Sequence, residues 1–425
     1  MTLTLLAAFA VLLVIGAPIA VALGLSSAIT ILAHGLPASV LLQRAVNSID
    51  STPLLAVPMF LMAASLLGTT GVTTFMFDLT RMVVGRVRGG MAHVNVLLSL
   101  IFSGMSGAAL ADIGALGGMQ VREMEKQGYK RRFAAGLTIA SATIGPMFPP
   151  SIPLIIFAAA AEVSPVKVLL AGIVPALILA GMLMGYIALV ARRQNLPRDT
   201  VSPSLPAFLR LSLISFPALL TPVLLIGGML SGYFGPTEAA GITVAYAILI
   251  GVAVYRTLTL KALIGSARDT VLATANILFV VAAAAVFAWV LTMDQVPGKA
   301  DAWLLGISDN PLVLLLILNV VLLVAGMFLE SIVAILIIAP IVTPALVMAG
   351  APPEQVGVVM VLNLMLGLLT PPVGMSLYMM SITVNMPFAE VVRGVTPFFV
   401  PLFLALALVT FFPGLSAWLP TYLME

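Results

Sequence analysis

The stretch Gly145-Pro146-Met147-Phe148-Pro149-Pro150-Ser151-Ile152-Pro153 lies inside an apolar run covering residues 133–161. Four prolines and a glycine cannot belong to one continuous α-helix, because each proline removes a backbone donor and clashes with the preceding turn. A helix broken there exposes amides and carbonyls at membrane depth, which is tolerable only beside protein or a wet cavity. The stretch also recurs. Adding 222 maps Gly145, Pro149, Pro150, Pro165, Gly172 and Pro175 onto Gly367, Pro371, Pro372, Pro387, Gly394 and Pro397 without a gap. Broken helices constrain the backbone while lipid-facing side chains drift, so this pattern is what an internal duplication leaves.

Composition sets the medium. The chain has 425 residues, 61% of them hydrophobic and only 8% charged, with a mean hydropathy of +1.20. Such a chain exposes too much apolar surface for water and belongs in a membrane. Its apolar runs have helical length, which excludes a β-barrel of about 10-residue alternating strands. With no cysteine and two histidines, thiol chemistry is excluded and a metal cluster is disfavoured. The net charge of +3 comes from loop lysines and arginines and carries no nucleic-acid signal. His34 and His93 are read as solvated loop residues.

Charge then gives the topology. Residues 1–32 read as an uncleaved first span kinked at Gly16-Ala17-Pro18, since no basic residue precedes Ala20-Val21-Ala22. Residues 36–50 and 72–87 read as interfacial helices on either side of a short span. The run 93–121 is flanked by Arg81, Arg86 and Arg88 before it and by Arg122, Lys126, Lys130, Arg131 and Arg132 after it. Both ends therefore lie in the cytoplasm, and the segment must enter and return as a re-entrant hairpin whose tip is Ser103-Gly104-Met105-Ser106-Gly107. Residues 311–349 form its counterpart, interrupted at Gly326-Met327-Phe328-Leu329-Glu330, where Gly326 is the 222 partner of Gly104. Of the 19 Lys and Arg, only Arg44, Lys167 and Lys299 fall outside in this scheme.

The expected architecture is an all-α polytopic membrane protein of two inverted repeats, each with a re-entrant hairpin and a broken helix. Residues 1–193 form the first repeat (scaffold 1–90, hairpin and broken helix 91–193), 194–210 a cytoplasmic linker, and 211–425 the second repeat (scaffold 211–310, hairpin and broken helix 311–425). The N-terminus is placed in the cytoplasm and the C-terminus outside. Opposed hairpins around two broken helices are the architecture of a secondary transporter. An enzyme needs a convergent nucleophile, base or metal cluster, and a channel a ring of like groups; neither is visible.

Ser103-Gly-Met-Ser-Gly-Ala-Ala-Leu-Ala-Asp112-Ile-Gly-Ala-Leu-Gly117, Gly145-Pro-Met-Phe-Pro-Pro-Ser-Ile152, Phe234-Gly-Pro-Thr-Glu-Ala-Ala240, Gly326-Met-Phe-Leu-Glu-Ser331 and Asn363-Leu-Met-Leu-Gly-Leu-Leu-Thr-Pro-Pro-Val-Gly374 together resemble the large membrane subunit of tripartite ATP-independent periplasmic (TRAP) transporters. The resemblance implies sodium-coupled uptake of an organic acid across a bacterial inner membrane by an elevator motion. It also implies a periplasmic substrate-binding protein and a small four-span membrane subunit as partners. The sequence departs from the family at Ile113-Gly114, where two alanines are usual, at Ser331, where proline is common, and at Met365, where Glu is frequent.

A sodium ion takes about five or six oxygens, and broken helices supply carbonyls while Ser and Thr add hydroxyls. The expected sodium sites are Ser103, Ser106, Gly145 and Pro149 in the first repeat, and Gly326, Gly367 and Thr370 in the second. Ser106, Pro150, Ser151, Glu330 and Pro372 are the expected substrate-facing residues. Ser103 and Ser106 equally suit close helix packing. Among carboxylates at membrane depth, Glu238 follows Pro236 at a helix start, where the dipole accounts for it. Asp112 either holds the hairpin to its neighbour or binds an ion, and Glu330 either meets an ion, carries a proton or is paired structurally. A proton-coupled anion carrier using Asp112 and Glu330 is the alternative mechanism.

Overall fold

With no water at membrane depth, a chain this apolar satisfies its backbone through helices. The computed structural model describes residues 1–199 and 204–424, and among them every regular element is helical. Among the described residues, eight helices are long and apolar enough to cross a bilayer.

The first hairpin has arms Gly90–Ser106 and 109–126, the second arm passing through a π-helical turn at Ile113–Gly117. Its two ends meet at one atom: the Gly89 amide and the Tyr129 hydroxyl both donate to the Pro197 carbonyl, at 3.1 and 3.3 Å. The chain therefore enters and returns on the same side. Adding 222 to 90–106 and 109–126 gives 312–328 and 331–348, and the second hairpin consists of Pro311–Phe328 and Ser331–Met348. The helix breaks fall where the prolines put them. Arg131–Ala142 stops and Ile152–Ala160 resumes; Pro353–Leu368 stops and Met375–Val384 resumes. Both breaks hold a cis peptide at the paired positions Pro149–Pro150 and Pro371–Pro372.

Around this core run the longer helices. Thr52–Thr69 and Pro236–Leu249 lie parallel, since Thr237 donates to the Thr52 carbonyl at one end (2.9 Å) and Thr257 to the Thr70 carbonyl at the other (3.3 Å). The two faces can be named by their charges. Arg131 donates to the Val384 carbonyl and Arg132 to the Arg393 carbonyl on the arginine-rich face. Arg44 stacks over Trp289 towards the other face, 5.4 Å from the ring centroid, in the last turns of the helix that Asp294 ends.

Four expectations are corrected. Residues 1–32 are not one kinked span: Thr2–Val14 and Ile19–Ala33 fold back on each other at Gly16, whose φ of +83° suits a tight turn. Phe9 meets Phe287 (5.3 Å between ring centroids), the Cβ of Ala283 faces Gly24, and Thr2 donates from both amide and hydroxyl to Asp294. These bonds hold the Asp294 carboxyl near 2. The N-terminus thus shares the face of Asp294 and Lys299, and the scheme that put the N-terminus in the cytoplasm and Lys299 outside fails. Second, the two repeats are not matched here: where the first has an interfacial helix over 36–50 followed by a separate span, the second has one helix, Leu260–Met293, about 51 Å long at 1.5 Å per residue. Nothing like the Ile49–Thr52 interruption of the first repeat breaks it. Third, His93 is only 7% exposed and lies within Gly90–Ser106 rather than in a loop. Fourth, the linker is shorter than 194–210, because Leu205–Leu230 begins inside it; residues 200–203 lie outside the described residues.

The cysteine-free chain makes the face assignment testable. Single cysteines at Leu3 and Lys299 should react with an impermeant thiol reagent from one side of the membrane, and those at Arg88 and Lys126 only from the other. Separate labelling of Arg88 and Lys126 would turn the first hairpin into a single crossing.

Candidate functional site

Each hairpin tip is pressed against the break of its own repeat, and glycines permit the approach. Gly107 ends the first arm at φ +66°, and a Cβ there would run into the Pro150 carbonyl. In the second repeat a Cβ on Gly367 would lie 2.6 Å from the Gly326 Cα, and the Gly374 amide donates to the Met327 carbonyl (3.3 Å). Gly326 and Gly367 were paired by sequence and are in contact.

The first tip is the more polar. Ser106 donates to Asp112 Oδ1, so the carboxylate bridges the two arms across the tip. Asp112 is 4% exposed, and its Oδ2 is buried without a hydrogen-bond partner among the described residues. That oxygen points at the break, since a Cβ on Gly145 would sit 2.7 Å from it. A buried carboxylate oxygen left unpaired is costly and calls for a proton or a cation. Ser106, Asp112 and Gly145 are thereby brought together. Ser103 is buried and donates to the Leu100 carbonyl of its own helix, so its hydroxyl keeps its acceptor lone pairs but is not directed at the break by any hydrogen bond. Pro149 is buried beside Pro150.

The second repeat places its polar groups differently. Glu330 caps the second arm, with Oε2 accepting from the Ile332 amide (2.9 Å) and Oε1 from the Ser331 hydroxyl (2.9 Å). Thr370 is half-buried and donates to the Leu366 carbonyl at 2.8 Å, whereas Pro372 is exposed. Ser151 is fully buried; it donates to the Pro146 carbonyl and accepts from the Leu154 amide (3.2 Å), which restarts the helix after the break. Its hydroxyl is thus committed to the backbone. Glu238 lies in the first turn of Pro236–Leu249.

Two cavities join these parts. One of about 160 Å³ lies where both tips converge, between Ala108, Pro146 and Pro153 of the first repeat and Glu330, Ser331 and Met365 of the second. Another of about 280 Å³ puts Ser106 and Asp112 opposite Ser65, Asp269 and Thr270 of the surrounding helices.

Sequence reasoning passed over a buried network that locks the first hairpin to its broken helix. Asn95 donates to Thr138 (2.7 Å) and accepts from Ser141 (2.7 Å), which in turn accepts from Ser99 (3.0 Å). The second repeat answers with Asn363 donating to Asn319 Oδ1 (2.8 Å) and Asn319 to Thr410 (3.0 Å). Amides inside otherwise apolar runs were the available signal. Asn363 Oδ1 and Ser376 Oγ, on the two halves of the second broken helix, are also buried without partners among the described residues. Arg44, singled out only as a cation outside, lines a cavity of about 430 Å³ with Trp289, Glu162 and Pro340.

Opposed hairpins whose tips converge between two broken helices define a polytopic membrane protein of the secondary-transporter class. Comparison with known proteins gives the particular family. Residues 6–415 match the model of the tripartite ATP-independent periplasmic transporter DctM component, and the chain belongs to that family. It is 42% identical over 381 residues to the sialic acid TRAP transporter large permease SiaM of Vibrio cholerae, covering 89% of this chain and 88% of that one. It is 37% identical over 407 residues to the C4-dicarboxylate TRAP transporter large permease DctM of Pseudomonas aeruginosa, covering 94% of each. Among solved structures, the YdaH transporter of Alcanivorax borkumensis shares the fold at a TM-score of 0.62 with 16% identity, over 89% of this chain and 88% of that one.

The close glycine approach predicts a stability effect. Gly367→Ala should cost about 1–3 kcal/mol by overpacking against Gly326 and lower the melting temperature of the purified protein. Gly181→Ala, with open space around it, should leave melting unchanged or slightly raised. Equal melting of the two variants would remove the tip-to-break contact from the energetics.

Proposed function

We propose that this chain is the large membrane subunit of a sodium-coupled importer of an organic acid. The acid, a dicarboxylate or a sialic-acid-like carboxylate by analogy with the relatives' names, is handed over by a periplasmic substrate-binding protein, and a small four-span subunit packs on the scaffold. The hairpins and broken helices move together as an elevator against residues 1–90 and 211–310. The observation that carries this reading is the unpaired Asp112 Oδ2, buried between the first tip and Gly145.

The donor set there is suited to sodium. Ser106 spends its proton on Asp112 and keeps its lone pairs, and the break frees carbonyls of residues that no longer belong to a helix. Ser103 and Thr370 likewise donate to carbonyls three or four residues back and remain acceptors. Arg44, at a cavity on the Asp294 face, supplies a cation on the route of an incoming anion. A proton-coupled carrier is the second reading, favoured by the same carboxylate: Asp112 would carry the proton and Glu330, capping the other tip, would be its counterpart.

Removing one oxygen from an ion's shell weakens binding by about 1–3 kcal/mol, or roughly 5- to 150-fold. Ion and substrate binding are linked, so the same change weakens both. Ser103→Ala, Ser106→Ala and Thr370→Ala should therefore raise the sodium concentration for half-maximal uptake while expression stays near normal. Wild-type sodium curves for all three would remove the proposed sites and leave these hydroxyls as packing groups.

A further inference from the structure

The arginine-rich face holds a groove that the transport reading does not use. It has a volume of about 530 Å³ and is lined by Val84, Val87, Arg88, His93, Met184, Ala188, Arg192 and Arg198. Among the described residues, three arginines and no carboxylate line it. Among the described residues, none of the three enters an ion pair.

The chain is folded locally to bring these charges together. Arg192 ends the helix Ile173–Arg193. Gly89, at φ +75°, lets the preceding loop lie against that helix, since a Cβ there would be 3.0 Å from the Ala191 Cβ and 3.4 Å from Ile187; Arg88 is thereby set beside Arg192. Residues 194–199 then strap back over the loop, with the Pro197 carbonyl accepting from Gly89 and the Asp199 amide donating to the Gly85 carbonyl (3.2 Å), while Arg81 and Asp199 pair at its end. This strap delivers Arg198. Like charges gathered without a counter-ion repel, and here the backbone holds them together.

The groove floor adds an independent sign. His93 is more than nine-tenths buried, lines the groove, and has a buried Nδ1 without a hydrogen-bond partner among the described residues. The walls are apolar, and Val87 (50% exposed) and Leu189 (66% exposed) continue the apolar surface beside the basic rim. A cationic rim, a polar floor and apolar walls at the edge of the membrane-spanning surface match a molecule with an anionic phosphate head and hydrocarbon chains.

We propose that this groove binds one anionic phospholipid, its phosphate held by Arg88, Arg192 and Arg198 above His93 and its acyl chains lying along Val84, Val87 and Met184. The site joins the end of the surrounding helix Val72–Val84 to the start of the first hairpin, so the lipid would rest across that joint.

The test is native mass spectrometry of the full-length chain in detergent, titrated with dioleoyl phosphatidylglycerol or with dioleoyl phosphatidylcholine. One phosphatidylglycerol should be retained at least about tenfold more strongly than phosphatidylcholine, each arginine near the surface adding to the attraction. Arg88→Gln/Arg192→Gln/Arg198→Gln should abolish that preference. The control Arg122→Gln/Arg193→Gln, removing charge from the same face outside the groove, should keep it, and circular dichroism with thermal melting reports whether each variant folds. Equal binding of the two lipids by the wild type, or an unchanged preference in the folded triple variant, overturns the proposal. Sodium glycerol 3-phosphate is the second arm. Displacement of the lipid by millimolar amounts would assign the groove to a soluble phosphate and overturn the lipid; persistence of the lipid supports it.

Discussion

A helix opened in an apolar interior must find partners for the backbone it frees, and here each partner is the tip of a re-entrant hairpin. Gly107 lies on the Pro150 carbonyl, and Gly326 lies on Gly367. The rest of the molecule follows from these two contacts. The hairpins need a wall to enclose them, which the long helices supply, and the amide networks of Asn95 and Asn363 fix each hairpin to its own broken helix at a distance from the tip. Without the tips the breaks would be unsatisfied; without the breaks the tips would have nothing to close.

The duplication preserved this backbone plan and let the side chains diverge. Asp112 has Ala334 as its 222 partner, Ser106 has Phe328, and Glu330 has Ala108. The first tip therefore carries a hydroxyl and a carboxylate with one oxygen unpaired, while the second carries a carboxylate already engaged in capping its own helix. Two halves alike in geometry are unlike in polarity. That asymmetry also divides the polar groups between two cavities: Ser106 and Asp112 line the one facing Asp269 and Thr270, and Glu330 lines the one where the tips converge.

Much of this was legible in the sequence, because the features concerned are written in residues with few substitutes. Prolines and glycines at 145–153 and 367–374 marked the breaks, and basic flanks marked the first hairpin as re-entrant. The turn at Gly16-Ala17-Pro18 was misread because the same residues serve a kink and a reversal; only the contact of Phe9 with Phe287 decides between them. His93 looked like a loop residue because it stands five positions after Arg88, but it lies in the first turn of a helix that is buried along almost its whole length. The direction of the Asp112 oxygen towards Gly145 was likewise beyond a one-dimensional reading, because it depends on the Ser106 bond across the tip and on how the hairpin sits against the break.

Ion coupling is the central claim, and the driving gradient tests it most directly. The chain with its small subunit is reconstituted into liposomes, the substrate-binding protein and a radiolabelled organic acid are supplied outside, and uptake is driven either by an inward sodium gradient at equal pH or by an inward proton gradient without sodium. Accumulation under the sodium gradient alone is expected. Accumulation that follows the proton gradient and ignores sodium would contradict it and assign the buried Asp112 to proton transfer instead.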